Sequence, residues 1–395
     1  MKLLIHDLNE NEWNEIAADY EGWEVVAGNK DVTPCTGCFG CWLKTPGECV
    51  MKDGYDNMGE LIHKADEVVF MSRYTYGGFS SSTKSVVDRC IGYILPFFQM
   101  RNGEMHHMPR YPEIKPLSFI FRGEGLTEED KEKAKKYVEA VRLNLNGEIK
   151  EIRFVEYKDN ECSKRLIDDC NNSSEISESG LTQNEPASKS VFINCSMRGD
   201  NANSKKFLYV ITSKVDGNPE IVNIASYVKK LDELSGMISS AETVVFSMPL
   251  YVDGIPALPL RLMEMVEKDH ADSNKKIYVV ANMGFFESKQ IENLLSMVKT
   301  WCEKCGFTYC GGMAIGAGEM MGQVLGFGSN GPGKYVYNDL IRFSEAINTS
   351  EAVGDIYTKS NKFPRIAYFT AANSGMKKSG KGNGLSKKDM MKQIG

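Results

Sequence analysis

The sequence predicts an α/β protein made of two doubly wound parallel sheets in tandem, and two observations carry that prediction. The first is an internal repeat. Ala65–Phe79 overlays Ala241–Ile255 without a gap, which puts Val68, Val69 and Phe70 on Val244, Val245 and Phe246, and Gly78 on Gly254. A second anchor follows in the same order, Lys115–Phe121 on Lys275–Ala281, with a longer insertion around Phe97–Tyr111 in the first copy. Two anchors in one order favour duplication over chance. The second observation is the alternation of short apolar runs with amphipathic stretches, which is how βαβ units and parallel sheets read.

In the first half, strands are expected near Leu3–Ile5, Trp23–Val26, Glu67–Met71, Leu117–Phe121 and Ile149–Val155. The helix before the last of these has Thr127 as N-cap, Asp130 in its first turn, and a Lys/Glu/Ala-rich run to Leu145. In the second half, strands are expected near Val191–Asn194, Glu220–Val222, Thr243–Ser247, Ile277–Ala281 and Met313–Ile315. Asn171–Lys189 is rich in Ser, Asn and Glu and reads as a linker or loop. The organisation expected is one domain over 1–170, a linker over 171–189, a second domain over 190–347, and a C-terminal extension over 348–395 whose tail is poorly ordered.

A chain of 395 residues suits two cores better than one. A net charge of −6 argues against a nucleic-acid partner, because the only basic stretch is the tail from Lys377 to Lys392. No apolar run reaches the roughly 18 residues a membrane span needs, and no leader opens the chain, so a cytoplasmic location and no membrane partner are expected. Eleven cysteines in that setting imply thiols or metal ligands rather than disulfides.

In an open parallel sheet, ligands bind beyond the carboxyl ends of the strands at the switch point. Three loops of the second half fall there. Asn194–Ser204 contains Ser196, Arg198, Asn203 and Ser204 just before a helix, a set of hydroxyls, an amide, one cation and backbone N–H groups suited to a phosphomonoester. Its plain reading is a polar turn with Ser204 as an N-cap. Ser247–Ala257 is stiffened by two prolines and a glycine, so that Leu250 and Tyr251 can flank a flat ring or cap the sheet edge. Ala281–Glu287 carries Gly284, where backbone can approach a ligand closely. The glycine-dense Gly311–Gly322 run lacks the dinucleotide fingerprint and its setting.

With those residues in view, the second half resembles the NAD(P)H-dependent FMN reductase branch of the flavodoxin-like superfamily over most of Val191–Gly322. The resemblance implies strand order 2-1-3-4-5 in each half. It implies FMN phosphate on Ser196, Arg198, Asn203 and Ser204. The ring would lie against Pro249, Leu250, Tyr251, Val252 and Gly254, and against Asn282, Met283, Gly284, Phe285 and Glu287. Met197 departs from the family's usual proline. NAD(P)H is the implied co-substrate, no side-chain acid or base is required, and the acceptor is a small molecule or a protein. Flavin sites in such reductases often lie at a dimer interface, which the two halves can supply within one chain, with homodimerisation as a further option.

Cys35, Cys38, Cys41 and Cys49 form a C-x2-C-x2-C-x7-C loop. Four thiolates at this spacing suit a [4Fe–4S] cluster or a structural zinc, and the bland alternative is four reduced thiols. The spacing resembles the compact motif of archaeal and clostridial iron–sulfur flavoproteins. The first half departs from the family at the phosphate loop, where His6–Trp13 is short and acidic, so no FMN is expected there although Tyr74–Gly78 resembles a ring-facing loop. His106 and His107 read as part of a solvated loop, or as a wall of the site if the halves pack face to face. Three function classes follow: a flavin oxidoreductase, a non-enzymatic flavodoxin or iron–sulfur electron carrier, and a flavin-free metal or redox sensor.

Overall fold

A computed structural model describes residues 1–28, 32–156, 190–270, 274–359 and 363–395. The expected linker at 171–189 lies outside the described residues. All ten expected strands are present within a few residues. The first sheet contains β1 (Lys2–His6), β2 (Glu24–Ala27), β3 (Glu67–Thr75), β7 (Lys115–Gly123) and β8 (Gly147–Glu156), in the order β2-β1-β3-β7-β8, all parallel. The second contains β9 (Ser190–Asn194), β10 (Ile221–Asn223), β11 (Thr243–Pro249), β12 (Lys276–Asn282) and β13 (Thr308–Ile315), in the order β10-β9-β11-β12-β13. Both sheets therefore have the flavodoxin-like order 2-1-3-4-5. Their central strands are apolar on both faces, as strands covered by helices on each side must be; Val68, Phe70, Val244 and Phe246 are fully enclosed.

The duplication extends to individual hydrogen bonds. Lys115 Nζ donates to the carbonyls of His63 and Ala65, and its counterpart Lys275 donates to those of Ser239 and Ala241. A one-residue bulge interrupts the β7–β8 ladder between Leu117 and Ser118 and the β12–β13 ladder between Ile277 and Tyr278, the same place in each copy.

The halves meet through the helices that follow their third strands, α4 (Ser81–Val87) and α8 (Ala257–His270). In the repeat, Ser81 falls on Ala257 and Asp88 on Glu264. Glu264 accepts the Ser81 N–H at 3.1 Å, and Asp88 accepts the Ala257 N–H at 3.0 Å. Each half thus caps the other's helix start with the same position, which is how a two-fold interface is built. Gly78 and Gly254 both face Tyr137, on α5 (Glu128–Asn144), and its counterpart Met297, on α9 (Glu292–Cys305); a Cβ on either glycine would lie 3.1–3.3 Å from both side chains. The pseudo-two-fold axis passes among these four residues.

One expectation is corrected. The extension after 347 adds β14 (Ile356–Tyr357) as a sixth parallel strand beside β13, and its α12 (Arg365–Gly382) packs on the insertion hairpin. The tail docks on the first half. Met390 is fully buried beside Leu95 and Phe97, the Arg110 guanidinium donates to the Met390 and Lys392 carbonyls, and Tyr111 donates to Ile394. Basic composition made the tail look solvated, but one apolar residue and a buried arginine anchor it. Met390→Ala should cost about 2–4 kcal/mol, read as a lower denaturant midpoint. An unchanged midpoint would mean that the tail does not hold.

Candidate functional site

The site is built at the carboxyl edge of the second sheet. After β9 the chain turns through Cys195–Ala202, with Gly199 in the left-handed region at φ 55°, and α6 (Asn203–Thr212) begins. Ser196 and Ser204 are buried, and Ser196 Oγ accepts the Arg198 N–H at 3.3 Å. The plain N-cap reading of Ser204 fails: Ala202 takes the cap position, and no side chain caps the helix. The helix start is left open to an anion, which is what a phosphate cradle requires. Arg198 pairs at 3.1 Å with Glu319, which starts α10 (Gly318–Val324), and α10 packs so closely on Asn203 that a Cβ on Gly322 would lie 2.2 Å from its side-chain oxygen.

Asn282 does not stand free at the ring edge. Its amide donates to Ser204 Oγ at 2.8 Å and to the Met248 carbonyl at 3.1 Å, tying the phosphate loop to β12. The rest of its loop is covered. Phe285 packs 5.4 Å from Phe98 and 5.1 Å from His107; these come from the hairpin of β5 (Ile94–Arg101) and β6 (Glu104–Pro109). Glu287 accepts the Met105 N–H and pairs with Arg365, while Tyr368 on α12 donates to the Gly284 carbonyl. The histidine pair is therefore a wall of the site and not a solvated loop. His106 is 4% exposed, its Nδ1 meets Asn144 at 3.1 Å, and among the described residues its Nε2 has no hydrogen-bond partner, with the Glu104 carboxylate 4.0 Å away.

The Pro249–Gly254 loop sits on the seam beneath the four-cysteine loop. A Cβ on Gly37 would lie 2.0 Å from the Tyr251 hydroxyl, and the Phe39 ring lies 5.5 Å from the Arg198 guanidinium. Burial, reinforced by the nearby Cys35 thiol, raises the Tyr251 pKa well above its ordinary value. Burial first, then Asp88 and the thiols of Cys49 and Cys38, push Cys35 up to about 12, and burial with the neighbouring thiols raises Cys41. Among the described residues, no group of three or more His, Cys, Asp or Glu is gathered so that it could hold a metal ion.

The FMN donor set fits. Buried hydroxyls, one arginine and an uncapped helix start lie in one loop, and among the described residues the half-buried Glu319 is the carboxylate paired with Arg198. Two cavities flank the seam, of about 200 Å³ beside His106 and Asp253 and about 230 Å³ beside Tyr76 and Tyr137. Neither includes a phosphate-loop residue, and both fall below the roughly 300–1,000 Å³ typical of cofactor sites. In the first half the matching place is filled by protein. The Asp7 carboxylate accepts from Ser80 Oγ, Ser72 Oγ and the Arg73 N–H, and pairs with Arg122 at 3.1 Å.

No family model matches the chain. Over 74 residues it is 32% identical to an iron–sulfur flavoprotein of Archaeoglobus fulgidus, a match covering 19% of this chain and 33% of that relative's length. An azoreductase of Bacillus anthracis strain Sterne overlays 41% of this chain and 98% of its own, at 14% identity and a TM-score of 0.30. An FMN-dependent NADH-azoreductase of the Ames Ancestor strain, solved with FMN, overlays 42% and 99%, at 13% identity and a TM-score of 0.29. Over those 74 residues the chain resembles an iron–sulfur flavoprotein. Among the described residues, no helix is long and apolar enough to cross a membrane.

His107 gives this wall a pH dependence. Burial among the rings of Trp42, Phe98 and Phe285 lowers its pKa to about 3, so it stays neutral when folded. The unfolded state binds the proton first, and stability falls as pH drops from about 6.5 toward 3. His107→Phe should flatten the unfolding midpoint across that window, and a slope equal to wild type would show that His107 titrates normally.

Proposed function

We propose that this chain is a flavin-dependent oxidoreductase that binds one FMN in its second half. It would take hydride from NAD(P)H and pass electrons to a small-molecule or protein acceptor. One observation carries the reading: buried Ser196 and Ser204, Arg198 and the uncapped start of α6 converge at the switch between β9 and β11. In this reading Ser196, Arg198, Asn203 and Ser204 hold the phosphate. The Pro249–Gly254 turn and the loop of Met283 and Gly284 flank the ring. Bound FMN supplies the redox chemistry. The chain's own part is to bind, orient and exclude water. Arg198 exchanges Glu319 for the phosphate, and the hairpin and α12 shield the Asn282–Glu287 loop. In the first half the Ser72 and Ser80 hydroxyls, the Arg73 N–H and the Arg122 guanidinium are already engaged by Asp7 and are not offered to a phosphate. The similarity to an iron–sulfur flavoprotein supports the reading.

The cysteine loop lying over Tyr251 favours a second reading, a non-enzymatic electron carrier. Steady-state NAD(P)H oxidation by FMN-loaded protein separates the two: turnover supports the enzyme, and its absence supports the carrier. The double variant Arg198→Ala with Ser204→Ala should weaken FMN by roughly 100-fold, with one flavin bound per wild-type chain. Two flavins per chain, or an unchanged affinity, would overturn the assignment.

Cys35, Cys38, Cys41 and Cys49 are assigned within this proposal to one [4Fe–4S] cluster, which requires their sulfurs to close from their described positions. Anaerobically prepared protein should carry about four irons per chain, and Cys38→Ala should lose them. One zinc per chain, or no metal at all, would remove the cluster.

A further inference from the structure

We propose that the first half serves the second as a clamp: Lys84, Tyr137 and Asn144 hold the Tyr251–Asp253 turn in a strained shape that positions the ring-facing loop. The inference rests on the flavin reading. Val252 and Asp253 both lie in the left-handed region, at φ 38° and 59°. Two consecutive non-glycine residues there are unusual, and a β-branched valine is disfavoured most. Such a backbone persists only where its surroundings over-determine it.

The surroundings come from the other half. Lys84 Nζ donates to the Tyr251 carbonyl at 2.6 Å, the Tyr137 hydroxyl to the Val252 carbonyl at 3.4 Å, and Asn144 Nδ2 to both carboxylate oxygens of Asp253 at 2.9 and 2.8 Å. Three successive residues of the turn are thus each held by a different first-half side chain. These side chains are themselves fixed. Lys84 is fully buried and paired with Asp88, which also caps α8. His106 Nδ1 engages the Asn144 oxygen, which leaves the amide nitrogen facing Asp253.

The repeat explains why the clamp is needed in one copy only. Tyr76 and Gly77 occupy the equivalent positions of the first half, also left-handed, at φ 53° and 104°. Where the first copy uses glycine, the second has Asp253, whose carboxylate Asn144 holds. The turn closes through reciprocal Tyr251–Gly254 backbone hydrogen bonds of 3.2 and 3.0 Å, and with no glycine at its two left-handed positions it is the seam contacts that hold those residues in place.

Full-length Asn144→Ala, Asn144→Asp and the double variant Lys84→Met with Asp88→Asn test this. Amide hydrogen exchange of residues 250–255 is followed in flavin-free protein, and FMN affinity and flavin midpoint potential in loaded protein. Exchange should quicken in all three. The FMN dissociation constant should rise roughly tenfold in Asn144→Ala and further in Asn144→Asp, where like charges meet. Asp253→Gly, added to Asn144→Ala, should restore affinity, because glycine adopts the turn unaided. Unchanged exchange in Asn144→Ala would overturn the clamp. Quickened exchange with unchanged affinity and potential would overturn its positioning role. If wild type binds no FMN, the flavin reading and that role both fall, while exchange still decides whether the clamp exists.

Discussion

The structure depends on the reciprocal capping across the seam, in which Glu264 takes the first amide of α4 and Asp88 takes the first amide of α8. Asp88 and Lys84 are fully buried to make these contacts, and Glu264 is largely covered. Burial raises the Asp88 pKa even with Lys84 beside it, so the arrangement costs stability as well as contributing to it. Its value is registry. An apolar seam would let the halves slide, whereas charges that must each find one partner admit one docking. The cysteine loop, the hairpin and the Tyr251 turn then fall into place around a single edge.

The same symmetry makes the asymmetry informative. Two copies of one fold face each other, yet only the second keeps an open helix start and paired serines after its first strand. The first copy has a shorter loop and an aspartate whose oxygens are already taken. Its remaining features point outward: the cysteine loop reaches Arg198 and Tyr251, the insertion hairpin reaches Phe285 and Glu287, and α5 reaches Asp253. The first half thus supplies a wall to the carboxyl edge of the second sheet.

Much of this was legible in the residues. The repeat located both sheets, and the hydroxyl-rich loop after Asn194 drew attention to the uncapped start of α6, because apolar periodicity and local loop chemistry are written along the chain. What crosses the seam was not. Lys84 and Asp88, four apart in a run of hydroxyls and valines, were the one available hint, and Asn144 at a helix end gave none. His106 and His107 stayed open between a solvated loop and a wall because Trp42, Asn144 and Phe285, which enclose them, lie far away in the sequence. The tail failed for a similar reason: six lysines outweigh one methionine in any composition, but not in a contact with Leu95 and Phe97.

Phosphorus NMR of the FMN complex tests the central claim most directly. If one cradle in the second half binds the phosphomonoester beside Arg198, a single bound resonance appears in the dianionic form, its pH titration suppressed relative to free FMN. Arg198→Ala should restore that titration, and Asp7→Asn should leave the spectrum unchanged. A second bound resonance, or a bound phosphate that titrates freely and ignores Arg198, would contradict the account.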